Sequence, residues 1–542
     1  MTDAIRIAPG GSLRDTDVLV LGGGPAAAWA AVSAAEAGAS VVLADKGWLG
    51  SSGVTAPSNT GTWCVGPGED RPQVVERRWA RRAGLADRRW MARTVDQSYR
   101  GLLRLAEWGY PFPRDDKGDV YIANLRGPDY MRFMRARVLA AKVKVLDHYP
   151  ALELCSDGTS VTGASGLIRP DGQDWTVRAR AVVLATGGCA FFEWTSCVAG
   201  LTGDGLLMAA EAGAALSGMG FTGKHTLTPY GSSAKKGLPF RWASFYRTDG
   251  TPLLNARGEQ VKNGIGGGAE GDLARALIEG PVYARLDQCE PALEDWLRQG
   301  QPNVMQPYDR QGIDPFRDLF RVDLKPEGTV RGVGGLRVAT QDCGTDVPGL
   351  CVAGDTASRE NVAGALSGGG SINSSWAIAS GWWAGQGAAA HARRRRAPRA
   401  FRQHAAPLGQ AGLRPEAAAE VASEAVIAAI RAEMAPLGKN FFRPDAGLVE
   451  SLARLDLLWR EVACGLGASG AARLRARETA AALAAARFCL TAARARSQSR
   501  GMHRRTDHPG QAEGPVRRYP LTGPDQIVPA AEPLPVPQEA AS

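Results

Sequence analysis

Apolar residues in the first fifty positions gather into two short, unbroken runs with a longer alanine-rich stretch between them. DVLVL ends at Leu21 and SVVLA at Ala44, and runs this short, bounded by glycine and aspartate, predict strands. The stretch between them opens at Gly22-Gly23-Gly24-Pro25-Ala26-Ala27 and closes at Gly38, with the composition of a helix. Two later apolar runs behave alike. AVVLA, residues 181–185, predicts a strand running into Thr186-Gly187-Gly188, and LCVA, residues 350–353, one that ends at Gly354-Asp355. Between these landmarks, residues from about 75 to 110 read as helices broken at WGYPF, and YMRFMRARVLAAK begins a helix followed by strands with a turn at Asp157-Gly158. TGDGLLMAAEAGAAL, from Thr202, reads as a helix opened by Gly203-Asp204-Gly205.

From Leu216 to Val330 the pattern changes to more Thr, Tyr, Arg and Gly with fewer long apolar runs, which predicts an inserted domain. RENVAGALSGGGSINSSWAIASGWWAG is a glycine and serine turn entering a helix near Ser371. Residues 410–510 are rich in Ala, Leu and Arg and predict helices, and the proline-studded tail after Pro509 is expected to be extended or poorly ordered. Trp382 and Trp383, on the helix after that turn, are expected to pack rather than to stack on a ligand.

The turn between the first two strands carries chemistry. G-x-G-x-x-A allows a tight bend at Gly22, keeps a side chain off a pyrophosphate path at Gly24, and permits close helix-to-strand packing at Ala27. Free N–H groups at the helix start then face phosphates, and Asp45, about 20 residues on, stands where a carboxylate accepts ribose hydroxyls. The chain therefore reads as a nucleotide-cofactor protein. The loop KGWLGSSGVTAPSNTGTW leaves the second strand where such a cofactor continues inward.

Bulk composition narrows the field. A length of 542 residues predicts two or three domains, and 44% hydrophobic with 22% charged residues is ordinary for a globular protein. The net charge of +9 reads as a solvated helical face, with Arg393–Arg396 and Ala397-Pro398 as a linker or helix end. Without interleaved aromatics or a known module, nucleic-acid binding is not expected. Nine cysteines occur singly with no C-x-x-C, which argues against zinc, an internal iron–sulfur cluster and a disulfide framework. No signal core and no apolar run of about 18 residues is present, so a cytoplasmic protein without a transmembrane segment is expected.

In their order, GGGPAAAWAA, ADKG with SSGVTA, VVLATGG, TGDGLLMAAEAGA, PVYARLD, GTDVPGLCVAGD, SGGGSINSS and ARSQSRGMHRRTDHP resemble the flavoprotein subunits of the succinate dehydrogenase and fumarate reductase family. That family also includes aspartate oxidase, ketosteroid dehydrogenases and the adenylylsulfate reductase alpha subunit, and the likeness covers residues 15–515. The resemblance implies an α/β fold: a split Rossmann-like FAD-binding domain with an inserted α+β capping domain and a C-terminal helical domain. The boundaries expected are 1–215 and 331–395 for the two parts of the FAD-binding domain, 216–330 for the cap, 396–515 for the helical domain and 516–542 for the tail.

Residue by residue, Gly22, Gly24, Pro25, Ala26 and Ala27 match the family's pyrophosphate turn, and Asp45 with Lys46 the adenosine end. Ser51, Ser52 and Gly53 match the loop passing the flavin, Ala151 an adenine contact, and Thr186, Gly187, Gly188, Asp204, Asp355, Ser371, Ile372 and Asn373 further cofactor contacts. Some relatives attach FAD through a histidine in that loop; Ser52 or Gly53 stands in its place, so non-covalent FAD is implied.

The departures bear on substrate. MGFTGKHTLTPYG keeps the cap histidine as His225 but lacks the Pro and Thr of an HPTG-like string. Gly271 falls at the proton-donating arginine, Val330 at a second histidine with Arg331 beside it, and GALSGGGSINSS has no counterpart to the family's carboxylate-binding arginine. Succinate or fumarate chemistry is therefore not expected. Lys224, His225, Arg241, Arg247, Arg275 and Arg331 bias the cap toward an anion, with His225, as base or orienter near neutral pH, and Arg331 as the catalytic candidates. The expected function is an FAD-dependent oxidoreductase, dehydrogenase or oxidase, moving electrons between a small anionic organic substrate and flavin N5, with O2 or an electron-transfer protein as acceptor. Two alternatives stay open: a subunit like adenylylsulfate reductase alpha that serves a separate iron–sulfur partner, and a non-catalytic FAD-binding scaffold.

Overall fold

A computed structural model describes residues 13–114, 117–193, 198–233, 237–264, 269–300, 302–395, 405–415, 421–510 and 516–534. The chain enters on strand β1 (Leu13–Leu21), turns through the glycines into helix α1 (Pro25–Glu36) and returns on β2 (Val41–Asp45). Helix α2 (Asp70–Trp79) follows the glycine-serine loop, and the long strand β3 (Asp174–Leu184) completes the first part of the main sheet. An antiparallel cap sheet is built around β4 (His225–Pro229), helix α3 (Glu270–Glu279) and β5 (Phe320–Pro326). The chain then rejoins the main sheet on β6 (Leu350–Val352) and enters helix α4 (Gly369–Arg394). Helices Ser423–Met434, Asp445–Gly465 and α5 (Ala472–Ala495) form the C-terminal helical region.

Register in the main sheet explains why distant segments meet. β1 lies parallel between β2 and β3, with Leu21 opposite both Ala44 and Leu184, while β6 adds to β3 with Val352 opposite Leu184. Four strands therefore reach their carboxyl ends at one edge, where Asp45 closes β2 and Gly22, Thr186 and Gly354 leave the other three side by side with it. A crevice outside the carboxyl ends of parallel strands is where this architecture binds ligands. The split domain is closed by side chains too: Gly187 N donates to Thr356 Oγ1 at 2.9 Å.

Helix α1 is apolar on every face because it is covered on every face. Gly381 and Gly385 of α4 let the two helices touch through backbone: a side chain at Gly385 would put its Cβ 3.0 Å from Ala34 N. Ser33 Oγ donates to Trp382 O at 2.7 Å across that contact. Trp382 packs edge-on to Trp29, and Trp383 against Trp90 with Arg93 over its ring, so both tryptophans are packing residues as their position on the helix predicts.

The cap has its own core, including Phe240, Phe245, Leu273, Tyr308, Phe320 and Val322. His225 opens β4 directly opposite Pro326 at the end of β5, so the chain enters and leaves the cap at one place. Of the two forms expected for the tail, the extended one is found where it is described, and it is paired: Leu521–Thr522 pairs with Val528–Pro529, Arg517–Arg518 pairs with Glu532–Pro533, and Leu521 is fully buried against Leu216. Its prolines occupy short edge pairings that tolerate a missing N–H, and Trp459 Nε1 fixes Asp525 at 3.0 Å. Pro535, Pro537, Arg396 and Ala397-Pro398 lie outside the described residues.

Candidate functional site

The carboxyl edge of the sheet opens into a cavity of about 1320 Å3 that runs from the glycine turn to the cap. Small ligands occupy roughly 300–1,000 Å3, so this space suits a large cofactor with a substrate beside it. Its floor is backbone. Gly22 adopts φ +122°, and a Cβ there would overlap the carbonyl of Ala185, so only glycine closes the turn this tightly against β3. Gly24 faces Gly53, whose φ is +81° and whose Cβ, if present, would stand 3.1 Å from Gly24 Cα. Pro25 and Ala26 line the cavity, whereas Ala27 is fully buried beneath it.

At the end of β2, Asp45 is 4% exposed and its carboxylate accepts a hydrogen bond from Ser52 Oγ while lying against Gly23. Burial pushes this carboxyl above its ordinary value, with Ser52 and Lys46 pulling back. Lys46 is committed elsewhere: Nζ lies 2.7 Å from Asp204 and 2.9 Å from Glu478, and donates to Thr202 Oγ1 at 3.0 Å. Burial would lower the ammonium's pKa, but the two carboxylates raise it overall. Lys46 and Asp204 thus reach the cavity edge within a cluster of one cation and two carboxylates. Glu478, from α5, completes it and carries no motif that would have flagged it.

Of the remaining sequence-derived contacts, Ser51, Ser52, Ala151, Thr186, Gly187, Asp355, Ser371 and Asn373 line the cavity. Gly188 and Ile372 stand behind the wall: a Cβ on Gly188 would meet Thr329 Oγ1 at 2.6 Å, and Ile372 is fully buried. Asp355 pairs with Arg359, a wholly buried arginine whose Nη atoms also donate to the carbonyls of Thr329, Val330 and Gly332. Burial pushes the Asp355 carboxyl up, and Arg359 pulls it back. Arg359 ties the resumed sheet to the chain leaving the cap, a role unseen in RENVAG. Asn373 Oδ1 is buried on the cavity wall without a hydrogen-bond partner, an acceptor left for a ligand.

The cap contributes Lys224, His225, Arg241, Glu270, Glu327 and Arg331. Lys224 pairs with Glu270, Thr226 donates to Glu327, and Arg331 Nε lies 4.0 Å from Glu327. Two of the six expected basic groups are absent from the cavity. Arg247 approaches Glu279 at 3.8 Å and Arg275 binds Asp272 at 3.1 Å, both on the exposed surface of the cap. His225 is 1% exposed and packs edge-on to Phe441 at 5.3 Å. Burial pushes its pKa down to about 3; the nearby backbone of Gly223 offsets this only in part, and Arg504, Arg443 and Lys224 add to it. It is thus a neutral imidazole at pH 7, not a group titrating there. Gly271, in the first turn of α3, has open space: a Cβ would find only Arg275 at 3.9 Å.

The cavity fits FAD: a side-chain-free floor beneath two facing glycine turns, a buried carboxylate at the end of β2, an orphaned amide oxygen, and the N-termini of α1 and α4. With Ser52 and Gly53 in the loop, the cofactor is held non-covalently.

Comparison with known proteins agrees. Residues 17–279 match the family described as FAD binding domain. The chain is 29% identical to a protein named L-aspartate oxidase from Mycobacterium bovis over 373 residues, covering 64% of this chain and 69% of that one. Its fold is that of E. coli quinol fumarate reductase FrdA, with a TM-score of 0.82 at 18% identity over 98% of this chain and 99% of that one. Adenylylsulfate reductase from Archaeoglobus fulgidus gives a TM-score of 0.73 at 17% identity, covering 98% and 97%.

Proposed function

We propose that this chain, which belongs to the FAD-dependent flavoprotein superfamily of succinate dehydrogenase and fumarate reductase, oxidises a small organic acid carrying a carboxylate and an electron-rich C–H or C–N centre, an aspartate-like compound rather than succinate. The observation that carries this reading is the mixed charge of the cap wall: Lys224 with Glu270, and Arg331 with Glu327, face the same cavity as the cofactor wall. A wall with both signs suits a substrate with both signs. Bound FAD supplies a two-electron acceptor. Arg331 orients a substrate carboxylate, Glu270 or Glu327 receives a cationic or hydrogen-bond-donating group, and His225 orients through a neutral ring nitrogen. The missing arginine at Gly271 is not excluded by sterics, since that position is open, so its absence is a matter of chemistry.

The relatives named L-aspartate oxidase support an amino-acid-like substrate, and O2 as acceptor is part of the proposal. No helix among the described residues is long and apolar enough to cross a membrane, and cytoplasmic residence belongs to the proposal, tested by cell fractionation. The deciding experiment is anaerobic mixing of the purified yellow protein with amino and organic acids while following flavin absorbance. Bleaching by an amino dicarboxylate with recovery in air supports the reading. Bleaching only by succinate, or by no organic acid, overturns it.

A further inference from the structure

The cavity has a third source of charge that neither the cap nor the glycine turns supply. Arg78, in the last turn of α2, and Arg82, one turn further along, both line it beside Gly61, Ser371 and Ser374. Among the described residues no carboxylate pairs with either. Their fixed contacts are neutral: Arg78 Nη2 donates to Ser371 Oγ at 3.0 Å and its guanidinium lies over Trp63 at 4.5 Å, while Arg82 Nη1 donates to Ser367 O at 3.3 Å. Arg82 is only 8% exposed, and its Nε has no hydrogen-bond partner. Burial and the neighbouring charges of Arg78 and Arg81 push its pKa down to about 10. A buried guanidinium beside a second, half-buried one with no counter-ion is unfavourable unless an anion joins them.

The same spot receives a helix end. α4 begins at Gly369, whose N–H donates to Ser367 Oγ at 3.3 Å, and its first turn reaches the cavity wall through Ser371 and Asn373. Arg82 also anchors the turn that precedes α4: its carbonyl accepts from Ala365 N at 3.4 Å, and Gly364, at φ +62°, has no room for a side chain against it. That turn, GALSGGG, carries no arginine of its own. The guanidinium groups absent from it in sequence arrive in space from α2.

We propose that Arg78 and Arg82, beside the N-terminus of α4, form the subsite that receives a carboxylate of the substrate, an assignment that rests on the oxidoreductase reading for the word substrate alone. The test uses the FAD-loaded full chain and malonate as probe, with the flavin absorbance change giving its affinity and the flavin-to-protein ratio checking the cofactor. Arg82→Gln and Arg78→Gln each weaken malonate binding about 10- to 100-fold at unchanged flavin content, and Arg82→Lys restores part of it. Arg78→Gln guards against misfolding, because Arg78 is partly exposed and makes a single side-chain hydrogen bond. Unchanged malonate affinity in both variants, loss of flavin with unaltered malonate affinity in the remaining holoprotein, or a wild-type flavin spectrum indifferent to malonate would each overturn the subsite. Should the variants weaken malonate while no organic acid bleaches the wild-type flavin, the anion subsite stands and the proposed reaction falls. Bleaching by an amino dicarboxylate at the wild-type rate and concentration dependence in Arg82→Gln would leave the reaction standing and overturn the subsite.

Discussion

The two walls of the cavity are built by opposite means. The sheet wall is made of backbone: strand ends in register, glycine corners at Gly22, Gly24 and Gly53, and helix N-termini, with few side chains reaching inward. The cap wall is made of side chains, charged ones set among apolar ones such as Leu227 and Leu324, and some of the charged ones already have partners, Lys224 in Glu270 and Glu327 in Thr226. Backbone recognition is tied to sheet topology and serves any ligand with the same phosphates and ribose. Side-chain recognition is specific to one substrate and changes with a single residue. The contrast explains how one fold keeps its cofactor while the residues expected for succinate chemistry are gone.

If the sheet wall works through backbone, adding a side chain to it should do the most damage. Gly22→Val places a branched side chain at φ +122° against Ala185 and should weaken FAD retention by at least about 100-fold, roughly 3 kcal/mol, measured as flavin content after dialysis. Next in size is the cap. His225→Ala should slow anaerobic flavin reduction about 100-fold at full flavin content, and an unaltered rate would remove His225 from the site. Asp45→Ala tests the buried carboxylate at the end of β2 and should weaken FAD about 30-fold, near 2 kcal/mol; unchanged occupancy would refute its ribose role.

The smallest effect concerns stability. His225 has a folded pKa of about 3, below the roughly 6.5 of an unfolded histidine. The unfolded chain therefore binds the extra proton first as pH falls, and stability is lost between about 6.5 and 3 rather than gained. Going from pH 7.5 to 5.5, wild type should lose about 1.4 kcal/mol more than His225→Gln, read from paired denaturant titrations. Equal losses would show that His225 is not buried as a neutral ring.

Much of the sheet wall is legible in the sequence because its signals are local. An apolar run followed by Gly22-x-Gly24-x-x-Ala27 and closed by Asp45 can be read within thirty residues, as can the strand before Thr186 and the turn before Ser371. Local reading also explains two misplacements: Gly188 and Ile372 sit in the right turns but behind the wall, since sequence places a turn without saying which of its residues face inward. The prolines of the tail indicate extended or poorly ordered chain without showing that Leu521 anchors it in the core.

What the tertiary structure decided is which charges meet. Glu478 reaches Lys46 from a segment more than four hundred residues away, Arg359 grips the exit from the cap, and Arg78 with Arg82 arrive beside the N-terminus of α4 from the end of α2 and the turn after it, where ERRWARR carries no motif. Arg247 and Arg275 moved the other way, from expected pocket to solvent. Strand and turn formation depends on neighbours along the chain. Whether a charged side chain is buried, paired or left waiting for a ligand depends on neighbours in space, and those exist only once the sheet, the cap and the C-terminal helices have packed.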